Sequence, residues 1–296
     1  MNRSRQPYHT AWMFVDRAHA DQVFFEMLQK AMENTPLFRN KQLFFQYTIF
    51  LYLSGSRRIE PFLKPTTIQK INDNSNNVFF KVTHLNAKHF GTSRIRCTIC
   101  NTEFASTKKL RTHQVEAQHK GYVNIGSRRL LSSIFFSFDV FERALFEYLL
   151  QGRMQTTIDF SALLPAATRS TFEEGFPHDI NKLEAALPNI DKKFKMFKTD
   201  ITDGSEIIKN SPITPHMLRH LRAFDLIAVH GTPPHLVQRL LGWDSRDMVD
   251  RYADINGFVN DAETLAMWRP VIDASKDTIM SHLNNTNHLQ QHPVEQ

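Results

Sequence analysis

The pattern of apolar and polar positions predicts mainly helices, with two strands near the middle of the chain. Apolar residues at helical spacing mark one face of several segments, and one segment is apolar on most sides and should be buried. Short runs rich in β-branched and aromatic residues predict strands. The predicted helices cover residues 17–33, 40–53, 138–150, 214–230 and 232–242, and the predicted strands cover 78–88 and 128–136.

End signals are clearest for the helix that begins near residue 214. Thr214 is a good N-cap, Pro215 fits the first helical position, and Gly231 can end the helix. The pattern is weaker between residues 151 and 212, where two helical patches are separated by Pro188. The order in which these weaker patches pack does not follow from the sequence.

Composition and charge are those of a globular protein with a basic surface. The 296 residues are 41% hydrophobic and 22% charged, enough to bury one large core or two modest ones. The net charge of +6 favours a polyanionic partner, but alone it does not separate nucleic acid from a generally basic surface. The N-terminus lacks the apolar region of a secretory signal, and no apolar run is long enough to span a bilayer. A cytosolic or nuclear location is therefore expected.

Two cysteines and two histidines have the spacing of a metal site. Cys97, Cys100, His113 and His119 follow the pattern Cys-x2-Cys-x12-His-x5-His, which is that of Cys2His2 zinc sites. Two thiolates on a hairpin turn and two imidazoles on one helix face would supply tetrahedral ligands for Zn²⁺. Because the protein fills all four positions, the zinc should be structural and not catalytic.

Three apolar residues complete a module that resembles Cys2His2 fingers. Ile95, Phe104 and Leu110 lie where such a ββα finger has its small core, which cannot fold without metal. The module falls between the two predicted strands, as if inserted into a β-hairpin. Base-reading positions of the finger helix hold Ser106, Lys109 and Thr112, and phosphate-facing positions hold Lys108, Lys109 and Arg111. A structural or protein-contacting role for the finger is the alternative.

Three separated motifs resemble the boxes of the tyrosine recombinase (phage integrase) family. Gly-Ser-Arg-Arg-Ile-Glu places Arg57 in a motif similar to Gly-x-Arg-x-x-Glu. His216 and Arg219 belong to His-Met-Leu-Arg-His, which is similar to His-x-Leu-Arg-His. Leu-Leu-Gly-Trp ends at Trp243, and Tyr252 follows nine residues later, as in the third box. The resemblance covers about residues 36–255.

The resemblance implies a catalytic role for each matched residue. Arg57 and Arg219 would hold the nonbridging phosphate oxygens with two guanidinium forks. His216 would take the tyrosine proton or orient a phosphate contact, and Trp243 would donate its N–H and position the phosphate. Tyr252 would attack the phosphorus to give a 3′-phosphotyrosine without ATP or a catalytic metal.

The family also has a catalytic lysine on the hairpin between the first two boxes. Lys88 is the best-placed candidate because it lies near the end of the first predicted strand, and Lys81 is the second choice. The lysine would protonate the departing 5′ oxygen.

The expected fold class is α+β, mainly α-helical: a tyrosine-recombinase catalytic fold with a small β-hairpin or sheet and an inserted ββα zinc finger. The usual N-terminal clamp domain has no counterpart before residue 36, so the finger is expected to help hold the DNA. The predicted divisions are a short N-terminal helical segment (1–35), the catalytic domain (36–93 and 122–256), the finger (94–121), a C-terminal helical region (257–283) and a disordered tail (284–296).

The expected partner is double-stranded DNA, bound by a homo-tetramer whose C-terminal helix within 257–283 docks onto a neighbouring subunit. Docking of that helix onto its own core is the alternative. The expected function is site-specific DNA recombination, and the compartment is the nucleoid-containing cytoplasm or the nucleus. Two other functions remain open: a type IB-like DNA topoisomerase, and a non-catalytic DNA-binding regulator that retains the fold.

Overall fold

The structure is a computed structural model. It describes residues 28, 39–73, 77–86, 95–104, 106–124, 129–136, 140–166, 168–169, 180–201, 214–243, 276–277 and 280–281. These residues combine helices with two antiparallel sheets, so the predicted α+β class is confirmed.

The helices and strands have the following bounds. The helices are α1 (Arg39–Ser54), α2 (Glu60–Leu63), α3 (Thr107–Glu116), α4 (Val140–Leu150), α5 (Ile180–Ile201), α6 (Pro215–Phe224) and α7 (Pro234–Leu240). The strands are β1 (Thr66–Asn72), β2 (Val78–Asn86), β3 (Ile95–Cys97), β4 (Glu103–Phe104), β5 (Tyr122–Asn124), β6 (Arg129–Phe136) and β7 (Gln155–Ile158). A 3₁₀ turn at Phe160–Leu163 and a π-helical turn at Asp225–Val229 complete the described elements.

The larger sheet has four strands in the order β6-β2-β1-β7, all antiparallel. The two strands predicted from the sequence, β2 and β6, are neighbours and pair from Phe79 with Phe136 to Asn86 with Arg129. The pattern did not predict β1 or β7, because polar residues such as Thr, Gln and Asn make up most of both strands. Alternation along β2 turns His84 and Asn86 to the buried face.

The hydrophobic core lies between the inner face of this sheet and helix α1. Ile49, Phe50 and Leu53 of α1 are buried, which agrees with a helix that is apolar on most sides. Phe80 of β2 stacks on Phe146 of α4 with ring centroids 4.4 Å apart. Truncation of such a buried ring typically costs about 3–5 kcal/mol. The core therefore fixes the strand face from which His84 and Asn86 project.

Helix α5 is continuous across Pro188, where the sequence pattern suggested two separate patches. The proline is exposed, while Leu183, Leu187 and Ile190 of the same helix are buried. An interior proline costs about 3 kcal/mol, and burial of three large side chains offsets that cost.

The helix predicted at 214–230 ends differently from the prediction. Helix α6 continues into the π-helical turn, in which the His230 amide donates to the Asp225 carbonyl at 2.9 Å. Gly231 follows with φ +58°, a left-handed conformation that glycine adopts without strain. The widened last turn therefore replaces the regular helix end that the sequence suggested.

The smaller sheet has three strands in the order β4-β3-β5. Its third strand extends to Asn124, past the end predicted for the finger at residue 121, and Ile95 pairs with both Phe104 and Asn124. The chain thus enters and leaves this sheet on neighbouring strands. Because β2 and β6 are also paired, residues 87–128 form the connection in the sequence between two adjacent strands of the larger sheet.

Candidate functional site

Arg57 lies in the loop between α1 and α2, where Glu60 and Asn86 contact its guanidinium. Its Nη1 donates to Asn86 Oδ1 at 3.2 Å and lies 3.5 Å from Glu60 Oε1. Its backbone amide donates to Glu60 Oε2 at 2.7 Å. The side chain keeps 26% of its surface exposed, so it is anchored at one edge while part of it faces solvent.

Glu60 is a buried carboxylate that connects the loop to the sheet. Its Oε2 lies 3.3 Å from His84 Nε2, and both side chains are almost completely buried. Neither ring nitrogen of His84 has a well-aligned hydrogen-bond partner in the described part of the chain. Burial raises the pKa of Glu60, but contact with His84 and the charges of Arg219 and Arg57 outweigh burial and lower it. Glu60 is therefore an anion beside two arginines.

Arg219 comes from α6, far from Arg57 in the sequence, yet its guanidinium reaches the same place. Its Nη1 donates to the Gly55 carbonyl at 2.6 Å, and its Nη2 donates to the Leu241 carbonyl at 2.7 Å. Burial lowers the pKa of Arg219 to about 10, with the Glu60 charge opposing and the Arg57 charge adding to the shift. The group stays protonated at neutral pH, so two positive charges adjoin one negative charge.

Gly55 and Gly242 allow close packing of the two turns whose carbonyls accept hydrogen bonds from Arg219. Gly55 has φ +59°, and a Cβ there would lie 2.4 Å from Leu241 Cδ2. Gly242 has φ +63°, and a Cβ there would lie 2.3 Å from Asn86 Nδ2. Both glycines therefore satisfy a backbone conformation and a close contact at once.

Trp243 completes this cluster from the turn after α7. The Arg219 guanidinium carbon lies 5.6 Å from the centroid of its ring, within the range of a cation–π contact. The indole is 6% exposed. Three of the sequence-predicted residues, Arg57, Arg219 and Trp243, thus lie in one cluster with Glu60 and Asn86.

The other predicted catalytic residues are only partly placed. His216 lies in the first turn of α6, on the described backbone, but its side chain is outside the described residues. Lys88 and Tyr252 also lie outside the described residues. Lys81 lies on the face of β2 opposite to Asn86, because side chains alternate along a strand. Lys81 consequently points away from the face that contacts Arg57.

A second buried charge cluster, missed in the sequence, supports α6 one turn beyond Arg219. Arg222 makes a bidentate contact with Glu142 of α4, and His230 Nε2 lies 3.0 Å from Glu142 Oε1. Burial opposes ionisation of Glu142, but the Arg222 charge and the contacts with His230 and Arg222 bring its pKa to about 2. The only sequence signal was an arginine at an i, i+3 position from Arg219.

The four predicted metal ligands converge between the smaller sheet and helix α3. Their ligand atoms all lie within 4.8 Å of one another. Cys97 Sγ is 3.6 Å from His119 Nδ1, Cys100 Sγ is 3.4 Å from His113 Nε2, and the two nitrogens are 3.3 Å apart. Tetrahedral Zn²⁺ with ordinary bond lengths requires sulfur–nitrogen edges of about 3.5 Å and nitrogen–nitrogen edges of about 3.3 Å. The residues therefore fit a zinc ion.

The prediction that both imidazoles share one helix face is wrong. Helix α3 contains His113 and ends at Glu116, so His119 lies beyond it. Positions six apart on a helix are about 240° apart in azimuth, so they do not face the same side. Gln118 adopts φ +55°, which turns the chain out of the helix and lets His119 approach with Nδ1.

The metal-ligand set has a protected side and an exposed side. Cys97 is buried beside the small core residues Ile95 and Leu110, whereas Cys100 is exposed. Contacts with the side chain and backbone of Thr102 lower the pKa of the Cys100 thiol to about 6. The lowered pKa favours the thiolate, which is the form that binds a metal.

The basic helix α3 places most of its predicted DNA contacts on the surface. Lys108, Lys109, Arg111 and Thr112 are exposed. The hydroxyl of Ser106 caps the helix by accepting from the Lys109 amide at 3.3 Å, and Thr112 donates to the Lys108 carbonyl at 3.2 Å. The cationic side chains are therefore presented to solvent, while both predicted base-reading hydroxyls already bond to their own helix.

Comparison with known proteins gives one match. The model of the phage integrase family matches residues 189–257, less than a quarter of the chain, including Arg219, Trp243 and Tyr252. A search of curated proteins and a search of solved structures found no match. The chain is thus similar to phage integrases over this segment, which supports the tyrosine recombinase resemblance, while the match does not extend to Arg57 or to the metal-ligand module.

None of the helices that the structure describes is long and apolar enough to cross a membrane.

Proposed function

We propose that this protein is a site-specific DNA recombinase that cuts and rejoins strands through a phosphotyrosine at Tyr252. The observation that carries the proposal is the convergence of Arg57 and Arg219, from distant segments, around Glu60 and beside Trp243. Two guanidiniums with one neutralising carboxylate leave a net positive site suited to a phosphodiester. The integrase match over 189–257 supports the same class.

In the proposed reaction, the Tyr252 oxygen attacks the phosphorus and the bond from phosphorus to the 5′ oxygen breaks. Arg57 and Arg219 stabilise charge that builds on the nonbridging oxygens, an effect worth about 10²–10³ in rate for one donor. His216 takes the phenol proton or orients the phosphate, and Lys88 gives a proton to the leaving 5′ oxygen. The energy kept in the 3′-phosphotyrosine bond allows religation to another strand.

Arg219 needs a local rearrangement, or a ligand that reaches a buried edge, before it can contact a phosphate. Two of its N–H groups already bond to the Gly55 and Leu241 carbonyls, and the side chain is 4% exposed. A guanidinium has five N–H donors, so these two bonds leave donors for a phosphate. In the proposal, the hydrogen bonds to the two carbonyls orient the Arg219 guanidinium, and the phosphate accepts from its remaining N–H groups.

The zinc finger is proposed as a structural module that helps hold DNA. Cys97, Cys100, His113 and His119 would bind Zn²⁺, which would supply the cross-link that the three-residue apolar core is too small to replace. The exposed cations of α3 would contact phosphates. Protein contact is the second candidate for this module, because Ile99, Val115 and Tyr122 expose large apolar side chains on it.

A homo-tetramer on DNA, joined through the region 257–283, is part of the proposal. The few described residues of this region contact their own chain: Lys276 Nζ lies 5.6 Å from the Phe141 ring centroid, and Met280 packs against the main core. Intersubunit docking would therefore involve other residues of the region. Mass photometry with and without DNA, compared with a chain ending at residue 256, tests this assembly.

The decisive experiment is covalent trapping on nicked duplexes that carry candidate sites. We expect a protein–DNA band that resists denaturation and disappears in Tyr252→Phe. Tyr148→Phe is the matched control, since this tyrosine is largely buried and packs on Phe45; its band should persist. If the protein binds DNA but gives no covalent band on any substrate, the enzyme proposal is overturned and a DNA-binding regulator is favoured. Relaxation of supercoiled plasmid without joint products would favour a type IB-like topoisomerase.

A further inference from the structure

Asn86 connects three segments of the candidate site that are distant in the sequence. It is the last residue of β2, is 2% exposed, and lies between the Arg57 loop and the turn at Gly242. We propose that Asn86 is a positioning residue that sets the orientation of Arg57 relative to the Gly242–Trp243 turn. This inference rests on the proposed function for its catalytic consequence, but the geometry itself is independent of that function.

The two ends of the Asn86 amide have opposite hydrogen-bonding roles. Oδ1 accepts from Arg57 Nη1 at 3.2 Å, and Nδ2 donates to the Gly242 carbonyl at 3.1 Å. A guanidinium can only donate and a carbonyl can only accept. The two partners therefore fix which way round the amide lies, and each contact holds the other in place.

The surrounding packing leaves room for little other than asparagine. A Cβ on Gly242 would lie 2.3 Å from Nδ2 and 3.0 Å from Leu131 Cδ2, so the amide fills the space above the glycine. Aspartate would keep an acceptor for Arg57 but would face the Gly242 carbonyl with a second acceptor. Leucine has a similar size but neither hydrogen-bonding group. Glutamine adds a methylene to a site that is already closely packed.

Asn86 also connects the two arginines indirectly. The Gly242 carbonyl that it contacts is one residue after the Leu241 carbonyl that accepts from Arg219. The Gly55 carbonyl that accepts from Arg219 is two residues before Arg57. The loop that carries Gly55 and Arg57 is thus held to the Leu241–Gly242 turn by the Asn86 amide and by the Arg219 guanidinium. Loss of Asn86 leaves Arg57 with the longer 3.5 Å contact to Glu60.

Ser133 offers a matched control on the neighbouring strand. Its hydroxyl donates to the Leu240 carbonyl at 2.9 Å, and it is buried like Asn86. It therefore ties β6 to the same end of α7 without contacting Arg57. Removal of either side chain breaks a buried hydrogen bond from the sheet to this turn, but only the loss of Asn86 releases the arginine.

The test compares Asn86→Ala, Asn86→Asp and Ser133→Ala in the full chain. It measures single-turnover formation of the covalent complex and DNA affinity, with melting temperature as a check on folding. We expect both Asn86 variants to lower the maximal rate, by up to about 100-fold for a misplaced catalytic group, with little change in DNA affinity. Ser133→Ala should lower the melting temperature with its maximal rate unchanged. Equal loss of rate in Ser133→Ala and Asn86→Ala at equal melting temperature would overturn the positioning role.

A second measurement keeps the inference testable if no covalent complex forms. Nitrogen-15 spectra of the arginine side chains report how freely the Arg57 guanidinium rotates, with its signal assigned from the Arg57→Lys spectrum. Slow rotation in the wild type and Ser133→Ala, with fast rotation in Asn86→Ala, supports the inference. Unchanged rotation in Asn86→Ala overturns it. A wild type with slow rotation but no covalent complex would overturn the recombinase proposal and leave Asn86 as the residue that fixes Arg57.

Discussion

Two charged centres of this protein, the Arg57–Glu60–Arg219 cluster and the metal-ligand module, are held by different physical means. Arg57, Glu60 and Arg219 lie against a large apolar core that buries the carboxylate and one guanidinium, and the Gly55 and Leu241 carbonyls orient Arg219. The Cys97–His119 module has a core of three apolar residues, so its four metal ligands must supply the remaining constraint. Charged groups are thus positioned by a hydrophobic core in one centre and by a metal in the other, and each arrangement fails under a different perturbation.

Removal of metal is the perturbation with the largest expected effect, and it should affect one centre alone. Apparent binding free energies of structural zinc are about 10–16 kcal/mol, far more than three apolar residues provide. We expect chelation or Cys97→Ser to abolish amide protection across 95–124 while 39–73 stays protected. Hydrogen exchange followed by mass spectrometry measures this, and metal analysis should find one zinc per chain. Val115→Ser, at an exposed non-ligand position, is the control.

Loss of protection in both segments on chelation would contradict the independence of the two centres. Retained protection in both would contradict the zinc proposal.

The second prediction concerns the buried pair that supports α6. Glu142→Gln leaves the Arg222 charge buried without its carboxylate, which typically costs about 3–5 kcal/mol. The matched control is Glu147→Gln on the same helix, whose partly exposed contact with Lys70 should contribute about 0–1 kcal/mol. Urea denaturation of both variants measures the difference. Equal losses of unfolding free energy in the two variants would contradict the larger contribution expected from the buried Glu142–Arg222 pair.

A third, smaller effect is the pH dependence of the stability that the Glu142–Arg222–His230 cluster contributes. The hydrogen bond to Glu142 raises the pKa of His230 above its ordinary value of 6.5. The protonated ring therefore contributes stability that is fully present below pH 6.5, the ordinary pKa, and is lost as pH rises through the raised pKa of the folded protein. We expect the free energy of unfolding to fall with pH in this window, and to fall less in His230→Gln.

The control is the same substitution at an exposed histidine of helix α7, His235→Gln. Urea denaturation at about pH 6 and about pH 8.5 would measure it. The same slope in His230→Gln and in the wild type would contradict the assignment of the titrating group.

The smallest expected effect is on DNA binding by the finger helix. Lys108→Ala and Arg111→Ala should each reduce the salt dependence of binding by about one unit of slope for one phosphate contact. Glu116→Ala, on the last turn of the same helix, is the control that removes an exposed charge of the opposite sign, and it should leave the slope unchanged. Fluorescence anisotropy over a range of salt concentrations measures the slopes. Unchanged slopes in the lysine and arginine variants would favour the protein-contact alternative.

Much of the fold could be predicted because local patterns determine it. The all-round apolar sequence of α1 predicted a buried helix, and the β-branched and aromatic run of β2 predicted a strand. Strand β1 and the continuity of α5 across Pro188 could not be predicted. Strand β1 is rich in polar residues and is defined by its pairing with β2 and β7, and the continuity of α5 depends on packing that offsets the proline.

The sequence by itself determined which residues carry the candidate chemistry: two cysteines and two histidines at ligand spacing, and arginines in motifs that resemble integrase boxes. The tertiary structure decided how Arg57, Glu60 and Arg219 meet, on which face Lys81 lies, and that His119 approaches through Nδ1 from beyond a helix. It also joined Asn86 to Arg57 and Gly242. The physical reason is that spacing records local geometry, whereas a contact between residues 57, 86 and 242 exists only once the core brings three segments together.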